Sequence, residues 1–221
     1  MPVILLRHGR SASNTAQRLA GRSEGVDLDL TGHEQARALV DRLGAAPVRM
    51  IVRSPLLRCD RTVQPLAATL GLAPIIDERL LEVDYGTWTG RSLADLSKEP
   101  LWAVVQHHPS AAVFPGGEGL AHVQARAVGA VREHDARLAA HAGGDALWIA
   151  CTHGDVIKSV LADALGAHLD SFQRITVDPA SLSVIRYTPL RPFVIHVNHT
   201  GAQLAVPDGI AGDAVVGGST G

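Results

Sequence analysis

Two short apolar runs constrain this chain more than anything else in it. Val3 to Leu6 leads into Arg7, His8 and Gly9, and Leu147 to Cys151 leads into Thr152, His153 and Gly154. Apolar runs of this length, bounded by turn residues, read as buried strands. Each histidine therefore stands where a strand gives way to a loop, with a glycine behind it that lets the chain turn sharply. If both strands are parallel members of one sheet, their carboxyl ends share an edge, and open α/β sheets bind ligands at that edge. The two imidazoles then face one pocket. Taken singly, His8 fits a surface turn and His153 a helix cap; their matching contexts favour a shared functional role.

The rest of the chain alternates strands with helices. Thr31 stands three residues before Glu34, a capping-box spacing that predicts a helix start, with Ala36, Leu39, Val40 and Leu43 on one face and an end near Gly44. Met50 to Val52 reads as a second strand, and Pro55 precedes a helix from Leu56 to Leu70 closed by Gly71. Residues 10 to 30 look too irregular for a regular element and long enough for a functional loop. Residues 75 to 90 read as a brief strand and an ordered loop, and residues 93 to 114 as a short helix and a cap over the sheet. Leu120 to His141 repeats at helical spacing until Gly143 and Gly144, and a further helix runs from Asp155 to Leu165. Ser181 to Tyr187 and Phe193 to Val197 close the chain as an antiparallel pair, because their connection is short. The expected fold is α/β: three layers, α/β/α, with a mostly parallel, mixed central sheet. Residues 1–200 are expected to form one domain and residues 201–221, ending in Gly217 to Gly221, a flexible C-terminal tail.

A formal charge of -2 gives no electrostatic footprint for nucleic acid or an anionic membrane, and no apolar run approaches the length of a bilayer span. Only Lys98 and Lys158 are lysine, so a cationic pocket must be built of arginine, whose fork suits phosphate. Arg58 and Arg61 both fall in the first turns of the helix after the second strand, and either can supply the guanidinium of an anion site. Cys59 and Cys151 lie far apart without metal-ligand spacing, and no basic, apolar, cleavable segment opens the chain, so a cytoplasmic location is expected. The histidines outside the two motifs are scattered, which predicts no metal site, and no cofactor motif is present. Gly21 to Gly25 spells the Gly-x-Ser-x-Gly of a hydrolase elbow, but its polar surroundings make it a loop.

Four groups of residues, in order, resemble the phosphoglycerate-mutase-like histidine phosphatase superfamily. They are Arg7, His8 and Gly9 with Ser11 and Asn14; Ser54, Pro55, Leu56 and Arg58 with Thr62; Glu82 four before Gly86, with Trp88 and Gly90; and Thr152, His153 and Gly154. The match spans about residues 3 to 198, in wording similar to an actinobacterial branch. The resemblance implies that His8 is a nucleophile that becomes phosphohistidine. It makes Arg7, Arg58 and His153 the phosphate pocket, with Asn14 and Gly154 as further contacts, and selects Arg58 over Arg61. Glu82 is the implied proton donor, because Gly154 stands where another branch carries an aspartate donor. Glu118, within Pro115 to Glu118, is implied on the substrate side and, with Asp84, is a rival donor; the serine usual after this motif is Gly119 here.

The implied activity is metal-independent hydrolysis of a small phosphomonoester, with no cofactor. In chemical terms, a neutral His8 attacks phosphorus without first losing a proton, while Arg7, Arg58 and a protonated His153 stabilise the charge. The alternatives are a phosphoglycerate-type phosphomutase and a non-catalytic phospholigand-binding protein. Arg10 and Ser13 stand where the resembling glycolytic mutases have glutamate and tryptophan, and their basic insert is missing, which favours a phosphatase. Trp88 and Trp102 read as core or cap packing, with pocket walls as the other use. A homodimer is compatible with the resemblance.

Overall fold

The computed structural model describes residues 1–43, 45–142, 146–202 and 204. Its strands are β1 (Pro2–Arg7), β2 (Val48–Arg53), β3 (Ile75–Ile76), β4 (Leu147–Thr152), β5 (Leu182–Tyr187) and β6 (Pro192–His199). They form one sheet in the order β3-β2-β4-β1-β5-β6. The first four strands in that order run parallel, with β4 inserted between β2 and β1. Antiparallel β5 and β6 finish the far edge, so the sheet is mostly parallel and mixed, as expected.

Side-chain alternation along the strands sorts two cores onto the two sheet faces. Ile4, Leu6, Ile149 and Cys151 join residues of helices α2 (Leu30–Leu43) and α3 (Leu57–Leu70) on one face. Val3, Leu5, Trp148 and Ala150 join helices α6 (Leu120–Ala142) and α7 (Gly154–Ala164) on the other. Every residue of β4 is buried, which explains its uninterrupted apolar sequence. The register that pairs Leu6 with Cys151 and Arg7 with Thr152 delivers His8 and His153 side by side past the same edge. The His8 amide donates to Thr152 O at 3.0 Å and ties the two loops together.

Local departures from expectation have identifiable causes. Helix α2 starts at Leu30, ahead of the Thr31 cap, because Asp29 Oδ1 accepts from the Gly32 amide at 2.8 Å. The Thr31 hydroxyl instead accepts from the Arg10 guanidinium at 2.8 Å. The 10–30 stretch contains a one-turn helix, α1 (Ala12–Thr15), capped reciprocally by Ser11 and Asn14. The cap region holds two short helices rather than one, α4 (Leu93–Leu96) and α5 (Pro100–His107). Helix stops assigned to Gly44, Gly143 and Gly144, and most of the expected tail, lie outside the described residues. Among the described residues no helix is long and apolar enough to cross a membrane.

Candidate active site

The strand ends of β1, β2 and β4 and the loop before Trp88 enclose a cavity of about 320 Å³ lined by Arg7, His8, Asn14, Arg58, Glu82 and Gly154 at one end. His8 is buried, and its Nδ1 lies 2.7 Å from Gly9 O. A carbonyl only accepts, so Nδ1 carries the proton and Nε2 keeps its lone pair. Burial and the charges of Arg58 and Arg7 hold His8 well below the usual imidazole range, so the ring is neutral near pH 7.

His153 caps α7 and is fully buried, its ring centroid 5.2 Å from that of His8. Its Nε2 lies 2.9 Å from Ser54 Oγ, while its Nδ1 has no hydrogen-bond partner and lies 4.0 Å from Glu82 Oε2. With the serine hydroxyl donating to Nε2, a neutral ring presents Nδ1–H as a donor. Burial and the charges of Arg58, His8 and Arg7 hold this ring also well below the usual range. With no anion bound, these guanidiniums oppose the second proton that the sequence reading gave His153.

Unsatisfied donors surround the two rings. Arg58 sits in the first turn of α3, 1% exposed, and donates through one Nη to Gly21 O at 2.8 Å. Its Nε and other Nη have no partner. Arg7 donates through one Nη to Val177 O at 2.6 Å, and its Nε is likewise unpartnered. Leaving buried N–H groups unpaired is costly, and each such group asks for an explanation. Arg7 and Arg58 bring such groups to the cavity wall beside His8, whereas His153, fully buried with its ring centroid 5.2 Å from that of His8, is not part of that wall, so the expectation that both imidazoles face one pocket holds for His8 alone. Asn14 Oδ1 accepts from the amide and hydroxyl of Ser11, which turns its NH2 into the group on offer to the pocket. Arg61 lies outside this wall, 3.8 Å from Asp27.

Glu82 enters from the loop before Trp88. Burial and the nearby charge of Asp155 push its carboxyl up to about 7, against the opposing pull of Arg58, the Val83 amide and Arg7. A group poised there accepts and donates protons with comparable ease at neutral pH.

The sequence profile of the histidine phosphatase superfamily (branch 1) matches residues 3–200. This chain belongs to the histidine phosphatase superfamily. Among its superfamily relatives, phosphoserine phosphatase 1 of Hydrogenobacter thermophilus is 29% identical over 203 residues, 90% of this chain and 92% of that protein. A probable phosphoglycerate mutase of Photorhabdus laumondii is 30% identical over 190 residues, 85% of each chain. The chain spans 54% of a longer bifunctional protein of Mycobacterium tuberculosis, at 30% identity. A solved structure of a mycobacterial glucosyl-3-phosphoglycerate phosphatase complexed with VO3 superposes with a TM-score of 0.80 at 25% identity. The match covers 90% of this chain and 99% of that one.

Within this member of the superfamily, Glu118 is not brought to the pocket wall. Its carboxylate pairs with Arg126 at 2.9 Å and Arg22 at 2.8 Å and accepts from the Asp84 amide at 3.0 Å. These hydrogen bonds and charges hold it below the usual carboxylate range, against the effect of burial. Arg22 and Arg126 also donate to Glu82 O at 3.0 and 3.2 Å, so the Glu118 cluster clamps the loop that presents Glu82. Gly86, at φ +52°, lies so close to Pro115 O that a Cβ would collide with it, and a Cβ on Gly117 would meet Asp84 O. Asp84 itself accepts from the Gly86 amide at 3.0 Å and belongs to the same clamp. Three participants were missed from sequence: the hydroxyl of Ser54 on His153, Asp155, and Tyr85, which donates to Asp155 Oδ2 at 2.8 Å. Ser54 stood inside a recognised motif without a role, and nothing in the spacing marks a tyrosine 70 residues from its aspartate. The Gly21 to Gly25 segment is a loop, and Gly21 serves the site through its carbonyl. Among the described residues, no cluster of three or more His, Cys, Asp or Glu is placed to hold a metal.

Proposed function

We propose that this protein hydrolyses a small phosphomonoester through phosphohistidine at His8. The observation that carries the reading is a neutral His8 with its Nε2 free, in one cavity wall with the buried, partly unpartnered Arg7 and Arg58 and with the Glu82 carboxyl near pKa 7. The Arg7 and Arg58 guanidiniums, the Nδ1–H of His153 and the Asn14 amide hold the phosphoryl oxygens. His8 Nε2 forms a bond to phosphorus as the bond to the ester oxygen breaks, and protonated Glu82 gives its proton to that oxygen. The resulting carboxylate then takes a proton from water as the water oxygen attacks phosphorus. The P–N bond breaks, inorganic phosphate leaves, and Glu82 is protonated again. Arginines supply the charge stabilisation throughout, so no step requires a metal.

Hydrolysis is favoured over phosphate return by Arg10, which stands where glycolytic mutases carry glutamate. Its guanidinium is turned onto Asp29 at 2.6 Å and Thr31 at 2.8 Å. The deciding experiment follows phosphate release and label retention from a panel of 32P-labelled phosphomonoesters with chelator present, for wild type and His8→Ala. The expected result is release and an acid-labile, alkali-stable phosphoprotein in wild type, both absent in His8→Ala. Isomerised ester without phosphate release would make the protein a mutase, and binding without any label would make it a phospholigand-binding protein.

A further inference from the structure

Beyond the phosphate end, the cavity wall changes character. Leu19, Trp88, Leu93, Trp102, Val105 and Phe114 line it there: Leu19 from the 10–30 loop, Trp88 from the turn 86–88, Leu93, Trp102 and Val105 from the cap helices, and Phe114 from the segment that follows them. The aromatic rings are locked against one another: Trp88 stacks on Trp102 at 6.3 Å and 26°, and Phe114 meets Trp88 edge-on at 5.3 Å and Tyr85 at 4.9 Å. Trp88 and Phe114 reach the cavity from the core, so this shelf is pre-formed and a ligand loses little ordering entropy in using it.

The charges on the opposite wall are already answered. Lys158 lies 3.4 Å from Asp155 and donates to Gln173 at 3.0 Å. Asp155 also accepts the Tyr85 hydroxyl. Arg18 is the remaining cation of the outer wall, and its guanidinium is turned to Gly90 O at 2.8 Å in an exposed position. A carboxylate on the leaving group would be desolvated against the apolar shelf and set beside Asp155, without a guanidinium or ammonium committed to it. A flat apolar body would cover the shelf and leave its polar substituents to the Asp155, Lys158 and Gln173 side.

We infer that this half of the cavity is a leaving-group subsite for phosphate esters of alcohols that carry an uncharged, flat aromatic or heteroaromatic body. Small amino-acid or hydroxy-acid phosphates fit it poorly. The inference rests on the phosphatase reading above and adds a substrate class to it. It separates this chain from the phosphoserine phosphatase it resembles.

The test compares primary alkyl phosphates, so that leaving-group basicity stays similar across the set. These are 2-phenylethyl phosphate, 2-(indol-3-yl)ethyl phosphate and a nucleoside 5′-monophosphate against phosphoserine and glycerol 1-phosphate, with wild type, Trp102→Ala and Leu93→Ala. The expected kcat/KM in wild type is at least ~10-fold higher for the aromatic esters, the scale on which an apolar pocket discriminates. Trp102→Ala is expected to shrink the ratio of phenylethyl to glycerol ester by roughly 10-fold, and Leu93→Ala by a smaller factor. Faster turnover of phosphoserine by wild type, or a ratio untouched by both variants, overturns the subsite. The wild-type ranking stands whether or not a variant folds. His8-independent or absent hydrolysis of every ester overturns the phosphatase reading itself, and the subsite with it; His8-dependent hydrolysis in the wrong order overturns only the subsite.

Discussion

Glu82 bears opposite demands from stability and from chemistry. Unfolded, its carboxyl ionises near the ordinary 4.5; folded, it keeps its proton to about 7. Between those values the unfolded state holds fewer protons, so stability falls as pH rises through the window, and the whole cost is present above about 7. Glu82→Gln removes that cost. The variant is expected to be more stable than wild type at pH 8 by on the order of 1–3 kcal/mol, with a much smaller gain at pH 5. Its turnover is expected to fall by roughly 10²–10⁴-fold. Thermal melts at the two pH values with parallel assays check both halves. Equal stability at pH 8 would mean that Glu82 ionises like an ordinary carboxylate and is no proton donor. Ser54 acts on a proton too, since a hydroxyl donating to Nε2 of His153 leaves the ring proton on Nδ1.

The element that presents Glu82 is a pair of loops, 82–88 and 115–118, held in contact by Gly86 and Gly117. Gly86→Ala places a side chain at positive φ and against Pro115 O, so the loops must part. A loss of about 1–3 kcal/mol in melts, together with a fall in kcat, is expected. Gly90→Ala, at φ +81° but facing open space, is the control for backbone strain alone. If both variants lose kcat equally, the contact has no bearing on the site. Elements of this kind set the boundary of what sequence reveals. The strands, α3 with its Gly71 cap and the edge that gathers Arg7, His8, Arg58 and His153 were legible because apolar periodicity and turn residues act locally. The start of α2 was missed because two hydroxyl and carboxylate candidates, Thr31 and Asp29, stand two residues apart, and a distant Arg10 takes one of them. The place of Glu118 was illegible for a similar reason: its partners Arg22 and Arg126 come from different elements, and only their convergence ties its carboxylate to the loop pair.

At the scale of the whole molecule, the fold holds two buried guanidiniums each only partly satisfied, Arg7 by Val177 O and Arg58 by Gly21 O. His8 and His153 are held below the ordinary 6.5, so they lend stability above that value and the stability drains as pH falls below it. An anion that fills the donors works in the other direction. Phosphate or vanadate at 100 times its Kd is expected to add about 2.7 kcal/mol, which for a chain of this size is roughly 5–10 °C in melting temperature. Arg58→Ala should abolish that increment, and an unchanged increment in the variant would place the anion elsewhere. The order of strands has a consequence in time. β4 lies between β1 and β2, yet it is made long after both. A nascent chain that already carries His8, Arg58 and Glu82 has no seam on which to align them until Leu147–Thr152 leaves the ribosome, with His153 and the Val177 that holds Arg7 still to follow. The proposed activity is therefore expected only late in synthesis, once the last third of the chain has joined the first.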